Sequence, residues 1–280
     1  MSRGKLSSTT HVLIGAGKMG GALLDGWLAE TGETALSPGE ILVIDPSPGE
    51  AAKKALGHGV KFSSNLTKGA ASGTKLCLLA VKPQSFDAVH QDLVEALPKD
   101  ALIVSIMAGI NLHTLGEVFA PRPVIRAMPN TPAAIGKGIT AFVCSETVNA
   151  AQKSMARARL EAGGKVVELT EERQIDMVTA LSGSGPAYVF HLTETMAAAG
   201  VNLGLPEELA RLLARETVIG SGAMLEQTDA HASDLRKAVT SPRGTTEAAL
   251  EVLMGHPGLS DLMRAAISAA FHRSRELGEN

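Results

Sequence analysis

His11-Val12-Leu13-Ile14-Gly15-Ala16-Gly17-Lys18-Met19-Gly20 passes from four residues that read as a buried strand straight into a glycine-spaced turn, and Lys18 to Glu30 then has helical spacing. A strand that ends in G-x-G-x-x-G and feeds a helix is the fingerprint of a dinucleotide site. Gly15 permits the tight turn, Gly17 lets a pyrophosphate approach the backbone, and Gly20 lets helix and strand pack closely. The helix start supplies free N–H groups and a positive dipole end for the anion. In a chain with 29 glycines the spacing alone is weak. Its place between strand and helix strengthens it, as does Asp45 at the end of the next strand-like run, 25 residues after Gly20. A carboxylate there bonds the ribose 2′-OH of NAD and repels the 2′-phosphate of NADP. Asp45 therefore leans toward NADH, whereas the hydroxyl of Ser47 in the following turn, and Asn65 reaching the same region, weigh against a firm choice. The alternative is that Asp45 only caps the Pro46-Ser47-Pro48 turn.

Working outward, the first half alternates apolar runs with helical stretches. The runs are Ile41 to Ile44, Lys75 to Val81, Ala101 to Ile106, Val124 to Ala127 and Ile139 to Cys144; the helical stretches are Glu50 to Leu56, Pro83 to Leu97 and His113 to Phe119. Uninterrupted runs such as Leu76-Cys77-Leu78-Leu79-Ala80-Val81 suit parallel strands buried on both faces, and the alternation predicts a doubly wound parallel sheet. After Leu169 strand-like runs stop, and Glu171 to Gly200, Pro206 to Glu226, Thr245 to Met254 and Gly258 to Leu277 read as helices. Pro186, in Ser182-Gly183-Ser184-Gly185-Pro186, must kink or break the first of these. We expect two domains, 1–168 for dinucleotide binding and 169–280 all-helical. The Ala-rich and Gly-rich helical faces are read either as ordinary packing or as dimerisation faces completed by a second chain.

Composition narrows the function classes. Of the 280 residues, 45% are hydrophobic and 20% charged, enough to build a core and unlike a disordered chain. The net charge of -3 gives no field to recruit nucleic acid or an anionic membrane. Cys77 and Cys144 lie far apart in apolar stretches, with no Cys/His spacing for zinc or a disulfide framework. The polar start and the absence of an apolar run of about 18 residues argue against a secretory signal or a membrane span, so a cytoplasmic location is expected. No HExxH, GxxxxGK[ST] or GxSxG occurs, and no metal is expected.

Several segments then point to one reaction. They are Ile14 to Gly20, Ala80-Val81-Lys82-Pro83, Arg126-Ala127-Met128-Pro129-Asn130-Thr131-Pro132, Leu181-Ser182-Gly183-Ser184-Gly185-Pro186-Ala187-Tyr188 and Ser241-Pro242-Arg243-Gly244-Thr245-Thr246. In order and spacing, over nearly the whole chain, the sequence resembles the pyrroline-5-carboxylate reductases. The resemblance implies an N-terminal Rossmann-type domain, then a helical domain that interlocks with a second copy. It implies a homodimer, possibly assembled into larger oligomers, and hydride transfer from NADPH or NADH to 1-pyrroline-5-carboxylate, giving L-proline. It places Ala80, Val81, Lys82 and Pro83 along the cofactor, together with Gly15, Gly17, Lys18, Met19 and Gly20. Met128, Asn130 and Thr131 would stand beside the nicotinamide. Ser241, Gly244, Thr245 and Thr246 would hold the substrate, with the Thr246 hydroxyl facing the ring nitrogen.

Each motif also has its own physical reading. Pro83 can start a helix because its missing N–H is harmless there. Two prolines around Asn130-Thr131 make a rigid loop at a strand end, where sites concentrate. Ser241-Pro242-Arg243-Gly244 reads as a type I turn, which accepts a non-glycine third residue, whereas the family usually has Gly at position 243. The turn opens a helix whose N–H groups can hold a carboxylate. His231, where the family often has His-Pro, is followed here by Ala232 and reads as a cap or packing residue. Two other classes remain in play. A 3-hydroxyacid dehydrogenase would need a Lys to shuttle a proton, and Lys61 with Asn65 has suggestive spacing but falls in the sheet half. A non-catalytic nucleotide-binding regulator would have no reason to keep the substrate loop.

Overall fold

A computed structural model describes residues 9–67 and 69–278. The expected alternation is present as β1 (His11–Ile14), α1 (Lys18–Ala29), β2 (Ile41–Ile44), α2 (Glu50–Leu56), β3 (Lys61–Ser63), β4 (Leu76–Leu79), α3 (Phe86–Ala96), β5 (Leu102–Ser105), α4 (Leu112–Phe119), β6 (Val124–Met128), β7 (Gly138–Cys144), α5 (Ala150–Glu161) and β8 (Gly164–Glu168). The strands form one sheet in the order β3-β2-β1-β4-β5-β6-β7-β8. The first six are parallel. Strand direction then reverses: β7 runs antiparallel to β6, and β8 parallel to β7. The doubly wound parallel sheet expected from sequence is thus present, with one antiparallel pairing, β6 with β7, that the sequence reading did not include. Only nine residues, 129–137, separate β6 from β7. A parallel crossover takes a dozen or more, so the chain can only turn back.

The period of two along each strand sends side chains to two separate cores. Leu13, Leu76 and Leu78 face one with Trp27 of α1 and Leu160 of α5. Val12, Ile14 and Leu79 face the other with Phe86 of α3 and Phe119 of α4. Arg122 shows how a buried cation is tolerated beneath that second core. Its Nη2 donates to the Val94 carbonyl at 2.7 Å and the Leu97 carbonyl at 2.6 Å, and its Nε to that of Pro98 at 2.9 Å, closing the end of α3.

Beyond the sheet come α6 (Gln174–Val178), a π-helical turn (Thr179–Gly183), α7 (Gly185–Asn202), α8 (Glu207–Glu226), α9 (Ala232–Ala238), α10 (Thr245–Met254) and α11 (Leu259–Gly278). The chain divides into two compact units, one running up to Gly183 and resuming at Phe271, the other spanning Ser184–Ala270. The boundary expected after residue 168 falls at the end of β8, and residues 169–183 that follow it cluster with the sheet-bearing unit. The reason is α6: Ile175 is fully buried with Met128 of β6 and Val143 of β7. The last turns of α11 join the same unit, where the Ser274 hydroxyl donates to Asp176 Oδ1 at 2.7 Å. In Ser184–Ala270, α7 and α8 pack on one another around Gly200, where an added Cβ would lie 3.3 Å from the Ala210 Cβ. Among the described residues, no helix is long and apolar enough to cross a membrane.

Candidate active site

The glycine loop sits at the point where strand order reverses, between β1 and β4. Gly15 has φ +88°, which an L side chain rarely adopts, and a Cβ there would come within 2.9 Å of the Ala80 carbonyl oxygen. A Cβ on Gly20 would collide with the Gly15 carbonyl and lie 3.0 Å from the Ala80 Cβ. Gly17 is different: a Cβ there meets nothing within 4 Å. Two of the glycines thus serve packing, and the third keeps open the space above the start of α1. That is the division of labour a pyrophosphate cradle needs, so the residues present fit a dinucleotide.

A cavity of about 360 Å³ opens beside the loop at the carboxyl ends of β1, β2 and β4; Gly17, Asp45, Asn65, Val81 and Lys82 are among its walls. Ser64, Ser85 and Asp92 also line it. Sequence reasoning did not select them, although Ser85 ends the 3-10 turn that Pro83 opens. Ser47 and Pro83 are not wall residues but adjoin Pro46 and Lys82, which are; Lys18 and Met19 open α1 next to Gly17. Asp45 lies nearly buried at the end of β2. Its Oδ2 accepts from Ala16 N at 2.6 Å and its Oδ1 from Ser47 N at 2.8 Å. It therefore caps its own turn and also ties the glycine loop to β2. Both oxygens are anchored, and the negative charge stands fixed in the cavity wall.

Asn130, Thr131 and Met128 lie where β6 ends. Met128 is buried and Thr131 exposed, the latter opening a 3-10 turn (Thr131–Ile135). The Asn130 carboxamide is engaged at both ends: Oδ1 accepts from Ile139 N at 2.9 Å and Nδ2 donates to the Ser182 carbonyl at 3.1 Å. Behind the loop, the buried Arg126 pairs through Nη1 with Glu172 Oε1 at 2.8 Å, and that same oxygen accepts from Leu112 N at 2.6 Å. Neither Arg126 nor Glu172 was singled out as functional from sequence. A lone Arg in a buried run, with a Glu some 46 residues on, was the available signal.

The Ser241–Thr246 segment belongs to the other unit. Gly244 N donates to the Ser241 carbonyl at 3.0 Å, closing a four-residue turn. Arg243 has φ +58°. A type I turn requires a negative φ at its third residue, so the expected type is corrected to one with a left-handed third position, where Gly is normally favoured. The backbone holds because Arg243 N donates to Glu247 Oε2 at 2.6 Å. Gly244 then starts α10 with no side-chain cap, and its first turn carries Thr245 and Thr246. First-turn N–H groups of a helix lack intrahelical partners and face anions well. Lys61, the alternative proton shuttle, instead donates to Thr9 Oγ1 at 3.2 Å from the first position of β3, whereas the cavity is lined by Ser64 and Asn65 after that strand's last residue. His231 is the N-cap residue of α9 but makes no side-chain capping bond.

A doubly wound sheet with a fitted glycine cradle at its switch point defines a dinucleotide-binding protein of the Rossmann class. Comparison with known proteins goes further. Residues 11–109 match the family described as NADP oxidoreductase, coenzyme F420-dependent, and residues 172–277 match pyrroline-5-carboxylate reductase dimerisation. The chain is 39% identical over 275 residues to the pyrroline-5-carboxylate reductase of Pseudomonas aeruginosa, covering 98% of each chain. With that of Corynebacterium melassecola it shares 35% over 276 residues, 97% of this chain and 100% of that one. Among solved structures it is similar to the pyrroline-5-carboxylate reductase of Coxiella burnetii (TM-score 0.87, 32% identity, 98% of this chain and 100% of that one). It is also similar to the Plasmodium falciparum pyrroline carboxylate reductase solved with NADP bound (TM-score 0.78, 27% identity, 98% and 100%). The chain belongs to the pyrroline-5-carboxylate reductase family.

Proposed function

We propose that this protein reduces 1-pyrroline-5-carboxylate to L-proline at the expense of NAD(P)H, the closing step of proline biosynthesis. The observation that carries this is the whole-chain likeness to reductases of that name, joined to a glycine loop whose open position is Gly17. When bound, the coenzyme supplies the hydride. The protein's share is orientation. A cyclic imine is basic enough to carry a proton on nitrogen near neutral pH, so its carbon is already electrophilic; the hydride adds to that carbon and the C=N electrons become the amine lone pair. Such a reaction needs near-attack geometry more than a strong acid. In this reading the first turn of α10 holds the substrate carboxylate, with Ser241, Gly244 and Thr245 shaping the turn. Thr246 hydrogen-bonds the ring nitrogen. Lys82 faces the cofactor phosphates.

We assign NADH as the preferred coenzyme. Two short hydrogen bonds keep the Asp45 carboxylate from swinging away. A 2′-phosphate beside it would meet a fixed like charge, whereas a 2′-OH can donate to it. The protein works as a homodimer, because the helical unit exposes Phe190, Leu203, Val252 and Leu262, and apolar faces of that extent call for a partner. Two unbridged cysteines fit a reducing cytoplasm.

Initial rates with pyrroline-5-carboxylate and each coenzyme test the reading. Wild type is expected to oxidise NADH faster than NADPH, and Asp45→Ala to narrow the gap. Thr246→Ala should lower kcat/KM by roughly ten- to a thousandfold, as for one lost transition-state hydrogen bond. Activity with a 3-hydroxyacid and NAD(P)⁺ but none with the imine would discard the assignment.

A further inference from the structure

In an α-helix the carbonyl of residue 182 accepts from the N–H of residue 186. Here residue 186 is proline, which has no N–H to give. The Ser182 carbonyl is thus released by the sequence itself, within the π-helical turn Thr179–Gly183 that leads into α7. Such turns concentrate at functional positions. The structure supplies the missing donor from elsewhere in the fold: Asn130 Nδ2 donates to the Ser182 carbonyl at 3.1 Å. The other end of the same carboxamide accepts from Ile139 N at 2.9 Å, at the start of β7. Side chains brace the turn from its near side, with Ser182 Oγ donating to the Val178 carbonyl at 3.0 Å and Thr179 Oγ1 to that of Ile175 at 2.8 Å.

We propose that Asn130 is a positioning residue for the reduction. By bridging β7 and the π-helical turn, it holds the loop after β6 and the point where the chain leaves the first unit in one fixed relation. One amide hydrogen and one oxygen lone pair are committed to this bridge, which fixes the orientation of the carboxamide. Its work on the reaction goes through the backbone it clamps. This rests on the reductase reading, in which the β6 end borders the nicotinamide and residues beyond Gly183 carry the substrate loop. Hydride transfer is sensitive to donor–acceptor placement on the ångström scale, so loosening the bridge should slow the chemical step while leaving coenzyme binding in place.

Asn130→Asp tests this, because it keeps the acceptor for Ile139 N and removes the donor to Ser182. With the full-length enzyme the expected result is a kcat at least tenfold lower, a coenzyme KM within threefold of wild type, and a larger kinetic isotope effect with NADH deuterated at the transferred position. Amide exchange across residues 179–185 should also quicken at least tenfold. A raised coenzyme KM with kcat intact would make Asn130 a direct coenzyme contact and overturn the proposal. So would a lower kcat with an unchanged isotope effect, the sign of a merely structural role. Unchanged exchange at 179–185 would overturn the bridge whatever the catalytic rate, which separates its failure from failure of the reductase reading. Should Asn130→Asp not fold, Ser182→Ala loosens the same turn from the other side and is held to the same isotope-effect and exchange results, with smaller changes.

Discussion

The two compact units solve the burial problem differently. In the sheet-bearing unit every strand from β1 to β6 except β3 is buried on both faces, and large side chains such as Trp27, Phe119 and Phe142 are fully enclosed. In Ser184–Ala270 only Ala210 and Ala214 are buried among the apolar side chains, while Leu203 is 88% and Val252 75% exposed. The first unit carries its own core. The second has helices of ordinary length whose large apolar side chains are, among the described residues, mostly exposed. Enclosing one such Leu, Phe or Val contributes about 1.5–3 kcal/mol, so the homodimer proposed above would supply the core the unit lacks if it covered several of them. The difference teaches that the sheet-bearing unit encloses its own core, whereas Ser184–Ala270 leaves most of its large apolar side chains exposed.

The comparison breaks most visibly at the apolar faces. Val252→Asp combined with Leu262→Asp should abolish the dimer at micromolar concentration and reduce activity by about a hundredfold or more, since several kcal/mol of interface burial is lost and two charges would be desolvated. Light scattering checks it, and an intact dimer would show that these faces are not the interface. Within the sheet unit the effect turns on space. Gly20→Ala should cost about 3 kcal/mol through overpacking against Gly15 and Ala80. Gly17→Ala should leave Tm nearly unchanged and raise the coenzyme KM, because its Cβ would enter only the space kept for the pyrophosphate. Equal loss of stability in the two variants would contradict that division of roles.

A third test concerns pH. His11 is nearly buried, and its pKa is lowered from 6.5 to about 4, chiefly by desolvation and then by the positive charges of Arg159 and Lys75. The unfolded chain takes up this proton first. Stability is therefore undiminished by His11 above pH 6.5 and falls as pH drops toward about 4, by about 3 kcal/mol at 1.36 kcal/mol per pH unit. His11→Gln should flatten that part of the denaturant-midpoint profile, and a profile as steep as wild type would place the acid sensitivity elsewhere. The smallest effect is expected in the helical unit. Arg243 occupies the left-handed region at φ +58°; Arg243→Gly should stabilise by about 0.5–1 kcal/mol, relief of strain exceeding the added chain entropy. A loss of stability instead would mean that the guanidinium is held by contacts in the assembled enzyme.

Legibility followed exposure. Strands covered on both faces, such as Leu76–Leu79 and Leu102–Ser105, are plain as apolar runs. The half-covered strands β3 and β8 carry Lys61, Lys165 and Glu168 and give no such run. Helix α5 was not foreseen, because its buried set includes Arg159, a residue whose type reads as surface. It is held inside by Glu30 at 2.8 Å and the Thr34 carbonyl at 2.6 Å. At the site, the glycine loop and the Asp45 position were readable because each has a fixed distance from a strand end. The anchoring of both Asp45 oxygens was not, nor was the left-handed backbone of Arg243, since nothing in Ser-Pro-Arg-Gly excludes a type I turn.

By itself, the sequence determined the alternation of strand and helix, the cradle at Gly15–Gly20 and the family, because period, glycine spacing and motif order are local properties of the chain. The tertiary structure alone decided that β7 turns back and that α6 belongs with the sheet. It also decided that Asn130 reaches Ser182, 52 residues away along the chain. Those outcomes depend on which groups are left without partners once the strands are side by side: a loop too short to cross over, an isoleucine needing cover, and a carbonyl that Pro186 cannot satisfy.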